Sequence, residues 1–373
     1  MVPSTALSAS LPAMETAQRL GRLGDLLGDV DGLVVSSLTN IRYLTGFTGS
    51  AGLLLVAGGE ATLITDGRYA SQSEEQLAAA GVTVSVEIAG STRQGSVAGA
   101  VVTAAKMRRL GLEAGHVTWA TQRSYANDWF PGVELEATVG LVEQLRRSKD
   151  AGELSRMRRA AAIADAAFAH IRPMLADRPS ESDVALELDS TMRRLGATGP
   201  SFETIVASGP NGAKPHHRPS SRRVLGDEPV VVDFGARVDG YASDMTRTVW
   251  VDGVASAELR RAVAVVAQSQ RSGVAAVAAG VAAATVDQVC RDVIGDAGWS
   301  EQFVHGTGHG VGLDVHEAPS VAATSADTLG PGHVVTVEPG VYLPGLGGVR
   351  IEDTVVVTAD GCEPLTLTPK DLC

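Results

Sequence analysis

Two stretches far apart in the chain repeat one pattern, and that pattern limits the fold more than any other feature. Residues 230–235 (VVVDFG) and 334–340 (VVTVEPG) are each an apolar, strand-type run that ends in a carboxylate just before a glycine turn. Each is followed by a second acid on the returning chain, Asp244 after the first and Glu352 after the second. A duplicated strand–turn–strand unit brings Asp233, Asp244, Glu338 and Glu352 together from two hairpins. Four carboxylates in a core repel one another and lose hydration, so such a set is tolerated only when protonated or neutralised by cations. Two divalent ions would offset the four charges.

Between the two units lies the segment 305–317 (HGTGHGVGLDVHE), with three of the chain's eight histidines. His305 and His309 are four apart, as in a helical zinc pair. Gly306, Gly308, Gly310 and Gly312 argue against a helix, however, and the glutamate of an H-E-x-x-H motif is missing. The segment reads as a glycine-rich loop or strand pressed close to a site. Oxygen ligands with one imidazole suit manganese, cobalt, iron or zinc better than a structural zinc site, which would want thiolates.

The rest of the chain divides into two textures. After a tail at 1–14, the spacing predicts an amphipathic helix over 15–28, strands at 32–35, 53–56 and 61–64, and helices near 70–80, 91–109 and 118–127. This is an α/β domain over 15–145, closed by the charged break 146–153. The second domain, 151–373, opens with helices at 151–176 and 181–195, the latter capped by Ser180 with Asp183. Strands at 202–208, 229–234, 246–251, 334–338 and 349–357 follow, with helices at 256–279 and 284–297 among them. That order predicts an α+β domain with an antiparallel sheet and an internal pseudo-duplication. No nucleotide-phosphate loop occurs.

Composition narrows the partners. A net charge of −12 disfavours nucleic acid. Cys290, Cys362 and Cys373 are too few and too scattered for a disulfide framework or a thiolate metal site. The longest apolar run, near 273–286, reads as a buried helix end too short to span a bilayer, and the start lacks a basic signal-peptide region. The expected address is the cytoplasm, with no membrane partner.

The segments VVVDFG, YASDMTRT, HGTGHGVGLDVHE, TVEPG and GGVRIED occur in the order seen in the "pita-bread" metallopeptidases. They most resemble the Xaa-Pro peptidases, aminopeptidase P and prolidase, and NIRYLTGFTGSAG (40–52) resembles part of that family's N-terminal domain. The resemblance implies two divalent ions per subunit, manganese first with cobalt, zinc or iron as alternatives. Their ligands would be Asp233, Asp244, His309, Glu338 and Glu352. It further implies His216 (or its neighbour His217), His305, His316 and Arg350 as active-site residues, Glu338 as proton shuttle, a proline-containing peptide as substrate, and a homodimer. Arg350, two residues before Glu352 on one strand, is expected to face the same way.

Metal-free amidinohydrolases and inactive binding modules of this fold lose metal ligands, whereas here every ligand position is filled. Methionine aminopeptidase would leave the leading domain unexplained. A prolidase is expected to carry an arginine after the V-H-E segment to clamp the dipeptide carboxylate. Here 317–337 has no Arg or Lys and Ser320 stands at that place, which favours the aminopeptidase P type over the dipeptidase.

Overall fold

The computed structural model describes residues 10–253 and 255–370; residues 1–9 of the expected tail, and Cys373, lie outside it. The chain folds as two compact units, one on Ala13–Arg146 and one on Arg147–Cys373 with Met1–Pro12.

In the first unit, β1 (Gly32–Val35), β2 (Leu53–Ala57), β3 (Glu60–Thr65), β4 (Ser85–Ile88), β5 (Arg109–Glu113) and β6 (Glu134–Thr138) form one mixed sheet in the order β4-β3-β2-β1-β5-β6. The central strands β1 and β2 are apolar and almost wholly buried, as strands covered on both faces must be. The helix expected over 15–28 is shorter, a 3₁₀ turn at Thr16–Gln18 running into Arg19–Gly24. The one expected over 91–109 ends at Ala104, and β5 takes its last residue. An unanticipated helix, Leu38–Thr45, starts at Ser37, whose hydroxyl accepts from the Asn40 amide, and ends at Gly46 with φ 78°. Its Thr, Asn, Ile and Tyr residues are weak helix formers, so the two caps define it.

The second unit opens with helices Ala151–Ile171 and Glu181–Arg194. Ser180 and Asp183 make the expected reciprocal cap. Short strands follow: β7 (Gly199–Pro200), β8 (Ile205–Ser208), β9 (Val230–Phe234), β10 (Ala236–Val238), β11 (Tyr241–Ala242) and β12 (Met245–Val249). Helices Ala257–Ala276 and Ala283–Asp296 come next. The 273–286 run is thus the end of one helix and the start of the next. Then come β13 (Gly308–Gly310), β14 (Glu317–Val321), β15 (Val334–Val337), β16 (Gly340–Leu343), β17 (Gly347–Arg350), β18 (Asp353–Val357) and β19 (Cys362–Pro364).

The pseudo-duplication is explicit in this order. β9 pairs with β12, and the small antiparallel pair β10–β11 is set between them. β15 pairs with β18, and the pair β16–β17 is set between them. Each outer strand delivers an acid at its end and each inset pair returns through a second acid. The 349–357 run is therefore two strands, because the chain changes partner from β16 to β15 at residues 351 and 352. Arg350 and Glu352 thus do not share one strand, but they still face the same way, as expected: both side chains meet the Thr246 hydroxyl and line one cleft.

Alternation sorts the side chains. Val230, Val232 and Phe234 enter a core with the first helix pair, through Ala164, Phe168, Val184 and Leu188. Val335, Val337, Val349 and Val355 enter a second core with the other pair, through Val266, Val286 and Cys290. Asp233 and Thr336 fall on the opposite faces. The halves are stitched where β12 runs beside residues 350–354. Glu352 N–H donates to Thr246 O at 3.1 Å, Thr248 Oγ1 to Arg350 O at 2.8 Å, and Thr354 Oγ1 to Asp244 O at 2.7 Å. Among the described residues no helix is long and apolar enough to cross a membrane.

Candidate metal centre

Asp233 is the penultimate residue of β9 and Asp244 immediately precedes β12. His309 is the middle residue of β13, Glu338 follows β15, and Glu352 sits in the break before β18. One ligand atom each from Asp244, His309 and Glu352 lies within 4.8 Å of the others. His309 Nε2 is 3.6 Å from Asp244 Oδ2 and 3.3 Å from Glu338 Oε1. Asp233 joins the group through Arg350, whose Nη2 is 2.6 Å from Asp233 Oδ2. Close approach of β13 to its neighbours depends on glycine. A Cβ at Gly308 would stand 2.0 Å from Thr336 O, and one at Gly310 would stand 2.4 Å from Ala318 O.

The donor set fits divalent cations. Burial, then the Glu352, Asp233 and Glu338 charges, push Asp244 well above the usual carboxylate range. Burial, then Glu338 and Asp233, do the same to Glu352. Asp233 rises too, through burial, although the Arg350 charge pulls it down. For Glu338, burial is outweighed by the His309 hydrogen bond and charge, which bring it down to about 2. Asp233 Oδ1 and Glu352 Oε1 are buried and have no hydrogen-bond partner. Two shielded carboxylate lone-pair sites without a donor are what a cation would take up. The ring of His309 is set correspondingly. Its Nδ1 is 3.0 Å from Gly310 O, which can only accept, so Nδ1 carries the proton in the neutral ring. Nε2 faces the carboxylates. Burial lowers the His309 pKa, but the Glu338 hydrogen bond and charge outweigh it, so without a metal Nε2 keeps a proton towards Glu338, and a cation would take that proton's place.

Other chain groups hold these ligands. Thr246 Oγ1 donates to Glu352 Oε2 at 2.7 Å and Thr336 Oγ1 to Glu338 Oε1 at 3.2 Å. Arg350, 3% exposed, has a partner at every guanidinium nitrogen. Besides Asp233 it donates to Thr246 Oγ1 at 3.1 Å, to Pro215 O at 3.3 Å and to the Tyr342 hydroxyl at 2.7 Å. Tyr342, inside β16, in turn bonds His305 Nε2 at 2.8 Å, while His305 Nδ1 is 2.7 Å from Gly306 O. The carbonyl fixes the proton on Nδ1, so Nε2 accepts from the tyrosine. Burial lowers the His305 pKa and favours that neutral form. Behind the loop, Asp287 Oδ1 accepts from Thr307 N at 2.9 Å and Arg291 donates to Phe303 O and His305 O.

Asp233, Asp244, His309, Glu338 and Glu352, with His305 and Arg350, line one cleft of about 520 Å³, together with His216, His316, Phe202, Arg218 and Ser320. His316 packs edge-on to His309 with ring centroids 4.2 Å apart, and burial, then the His309 charge, lower its pKa. The buried pair Lys149–Glu317, 2.8 Å apart, anchors the residue after His316, the first of β14. His216 is exposed in the cleft, whereas its neighbour His217 is bonded to Glu181 at 2.9 Å. The sequence had not pointed to Tyr342, Thr246 or Thr336. Each is one residue of an ordinary strand run, and only the register places it against a site group.

The comparisons with known proteins follow the same division of the chain. "Metallopeptidase family M24" matches residues 155–359, and "Creatinase/Prolidase N-terminal domain" matches residues 19–148. An uncharacterized peptidase of Bacillus subtilis (strain 168) is 41% identical over 95% of this chain and 99% of its own. Among solved structures, an Xaa-Pro dipeptidase from Bacillus anthracis is 40% identical with a TM-score of 0.89, covering 95% of this chain and 98% of that one. An X-Pro aminopeptidase from Thermotoga maritima MSB8 is 33% identical with a TM-score of 0.85, covering 94% and 99%. The pita-bread resemblance and its two-part architecture are thereby borne out, and the chain belongs to metallopeptidase family M24, with a creatinase/prolidase-type N-terminal domain.

Proposed function

We propose that this chain is a metal-dependent Xaa-Pro peptidase of the aminopeptidase P type, which hydrolyses the bond between an N-terminal residue and a following proline. The observation that carries the metal part is the convergence of Asp244, His309 and Glu352 beside two buried carboxylate oxygens that lack a partner. Asp233, Asp244, His309, Glu338 and Glu352 would hold two divalent ions, manganese favoured over cobalt, zinc or iron. Such a pair, when bound, polarises the scissile carbonyl and lowers the pKa of a shared water. The chain's own groups do the rest. Glu338 takes the proton that the attacking water gives up and returns it to the proline nitrogen as the C–N bond breaks. His316 and His216 face the substrate and stabilise charge developing on the carbonyl oxygen. Arg350 and Tyr342 keep Asp233 and His305 in place.

Specificity for proline rests on the relatives, whose names divide between aminopeptidase and dipeptidase. The cleft favours the former. A dipeptidase needs a cation for the carboxylate that follows proline. Among the described residues lining the cleft, the arginines and lysines are Arg218 and Arg350. Arg350 is buried and already bonded. Arg218 is largely in solvent and lies 3.5 Å from Glu203, with side-chain exposures of 83% and 66%. Ser320, on β14, brings no charge. The test compares Xaa-Pro dipeptides with Xaa-Pro-Xaa tripeptides and longer peptides under the same Mn²⁺ concentration. Release of the first residue from the longer substrates is expected. Dipeptides cut well and longer peptides refused would make the enzyme a prolidase, the reading that the B. anthracis relative's name favours. A homodimer, by resemblance, and a cytoplasmic address complete the proposal. Sedimentation as a dimer at micromolar concentration is expected, and a monomer there would remove that part.

A further inference from the structure

Arg247 belongs to no part of the site described so far, yet it is among the largest wholly buried side chains of the molecule. A guanidinium in such a place must find acceptors for its donors. Nη1 donates to Thr246 O at 2.9 Å and to the main-chain oxygen of Glu352. Nη2 donates to Asp353 Oδ1 at 2.8 Å and to Thr368 O at 2.6 Å, and Nε to Thr368 O at 3.0 Å and Pro369 O at 3.2 Å. Arg247 therefore joins the backbone on both sides of the Thr246–Glu352 contact to a segment beyond β19. Two of its five acceptors, Thr368 O and Pro369 O, come from that segment.

The segment is itself tied down on either side of Arg247. Asp165, on the helix Ala151–Ile171, accepts from Leu367 N at 3.0 Å, from Thr368 N at 2.8 Å and from Thr368 Oγ1 at 2.6 Å. Lys370 Nζ pairs with Asp353 and donates to Gln270 Oε1 at 2.9 Å. Gln270 Nε2 donates to Asp353 Oδ2 at 3.0 Å, and Thr366 Oγ1 to Asp353 Oδ1 at 3.2 Å. Asp353 directly follows Glu352, and Arg247 directly follows Thr246, whose hydroxyl holds the Glu352 carboxylate.

We infer that residues 366–370 act as a clasp which, through Arg247, fixes the carboxylates of the metal centre. The inference rests on the metal reading proposed above. Without the segment, Arg247 keeps its charge but loses the acceptors for Nε and one Nη2 bond, and an under-satisfied buried guanidinium cannot stay where it is. As it turns or draws in water, the Glu352 and Thr246 carbonyls lose their common donor. Glu352 then sits less well opposite Asp244 and His309. Arg247 is in this sense a positioning residue, and Asp165 acts on it from a helix that carries no metal ligand.

The experiment measures Mn²⁺ affinity by calorimetry on chelator-stripped full-length protein, with thermal stability recorded separately. The variants are a chain ending at Leu365 and Asp165→Ala, and the control is Arg158→Ala. That control breaks an exposed ion pair with Glu363 on the same face, 3.2 Å long. Both clasp variants should bind Mn²⁺ roughly 10–100-fold more weakly, the range expected when groups supporting metal ligands are lost. Arg158→Ala should match the parent. A folded Asp165→Ala protein that binds Mn²⁺ as tightly as the parent while only its melting temperature falls would overturn the clasp and leave the metal centre standing. If the shortened chain does not fold, Asp165→Ala alone decides. A parent protein that binds no Mn²⁺ would remove the metal reading and the clasp together.

Discussion

Glu352 meets two demands at once. Its amide must cross to Thr246 O to join the halves of the unit, and its carboxylate must remain charged, or be neutralised, in a place without water. The Thr246 hydroxyl serves one oxygen and the other has no partner. Replacing Glu352 by Ala, or Asp244 by Ala, therefore removes a ligand and leaves the remaining acids facing one another. Each variant should purify with little bound metal and lose nearly all turnover. Elemental analysis beside a peptidase assay checks this, and retention of a full metal complement in either variant would show that the carboxylate is no ligand. Stability should move less than turnover, because deleting one of several repelling charges also relieves repulsion.

At the scale of elements, the loop carrying His216 hangs on Glu181. This carboxylate is the first residue of the helix Glu181–Arg194, where the helix dipole favours a negative charge. It accepts from Ser208 N at 2.8 Å, Asn211 Nδ2 at 3.0 Å, Ser220 N at 3.0 Å and Ser220 Oγ at 2.6 Å, besides His217. Burial opposes its ionisation, but these bonds outweigh burial and hold the carboxyl at about 2. Glu181→Gln turns an acceptor into a donor in the middle of donors. It should destabilise the fold by about 3 kcal/mol, as breaking a buried hydrogen-bonded charge does. In denaturant unfolding, a change below about 0.5 kcal/mol would contradict the assignment. Glu181 also shows where sequence reading stops. The Ser180–Asp183 cap was legible because it is local, but nothing local marks Glu181 as the hub of a loop that follows much later. The same contrast runs through the site. The acids at the strand ends and the glycine-rich β13 were visible as a repeated pattern and as an excess of glycine. The break at residues 351 and 352, and Tyr342 between Arg350 and His305, depend on pairing between distant strands. Pattern within a run does not encode that.

For the whole molecule, acid stability depends in part on His333. Burial, then the Lys149 and Arg147 charges, lower its pKa from 6.5 to about 4. The folded state thus binds a proton less readily than the unfolded chain. Stability is complete above pH 6.5 and falls as the pH drops towards 4, by up to about 3 kcal/mol for this one group. His333→Asn, which can still accept from Gly330 N, should flatten that slope between pH 4 and 6.5 in thermal unfolding. An unchanged slope would show that other groups set it. At the same scale, turnover should depend on divalent metal at the junction of the two halves of one pseudo-duplicated unit. The most direct measurement takes protein stripped of metal to the limit of elemental analysis and follows cleavage of an Xaa-Pro-Xaa tripeptide before and after Mn²⁺ is restored. No cleavage is expected in the stripped protein, with recovery on addition of Mn²⁺; full cleavage by the metal-free protein would show that turnover does not need the metal.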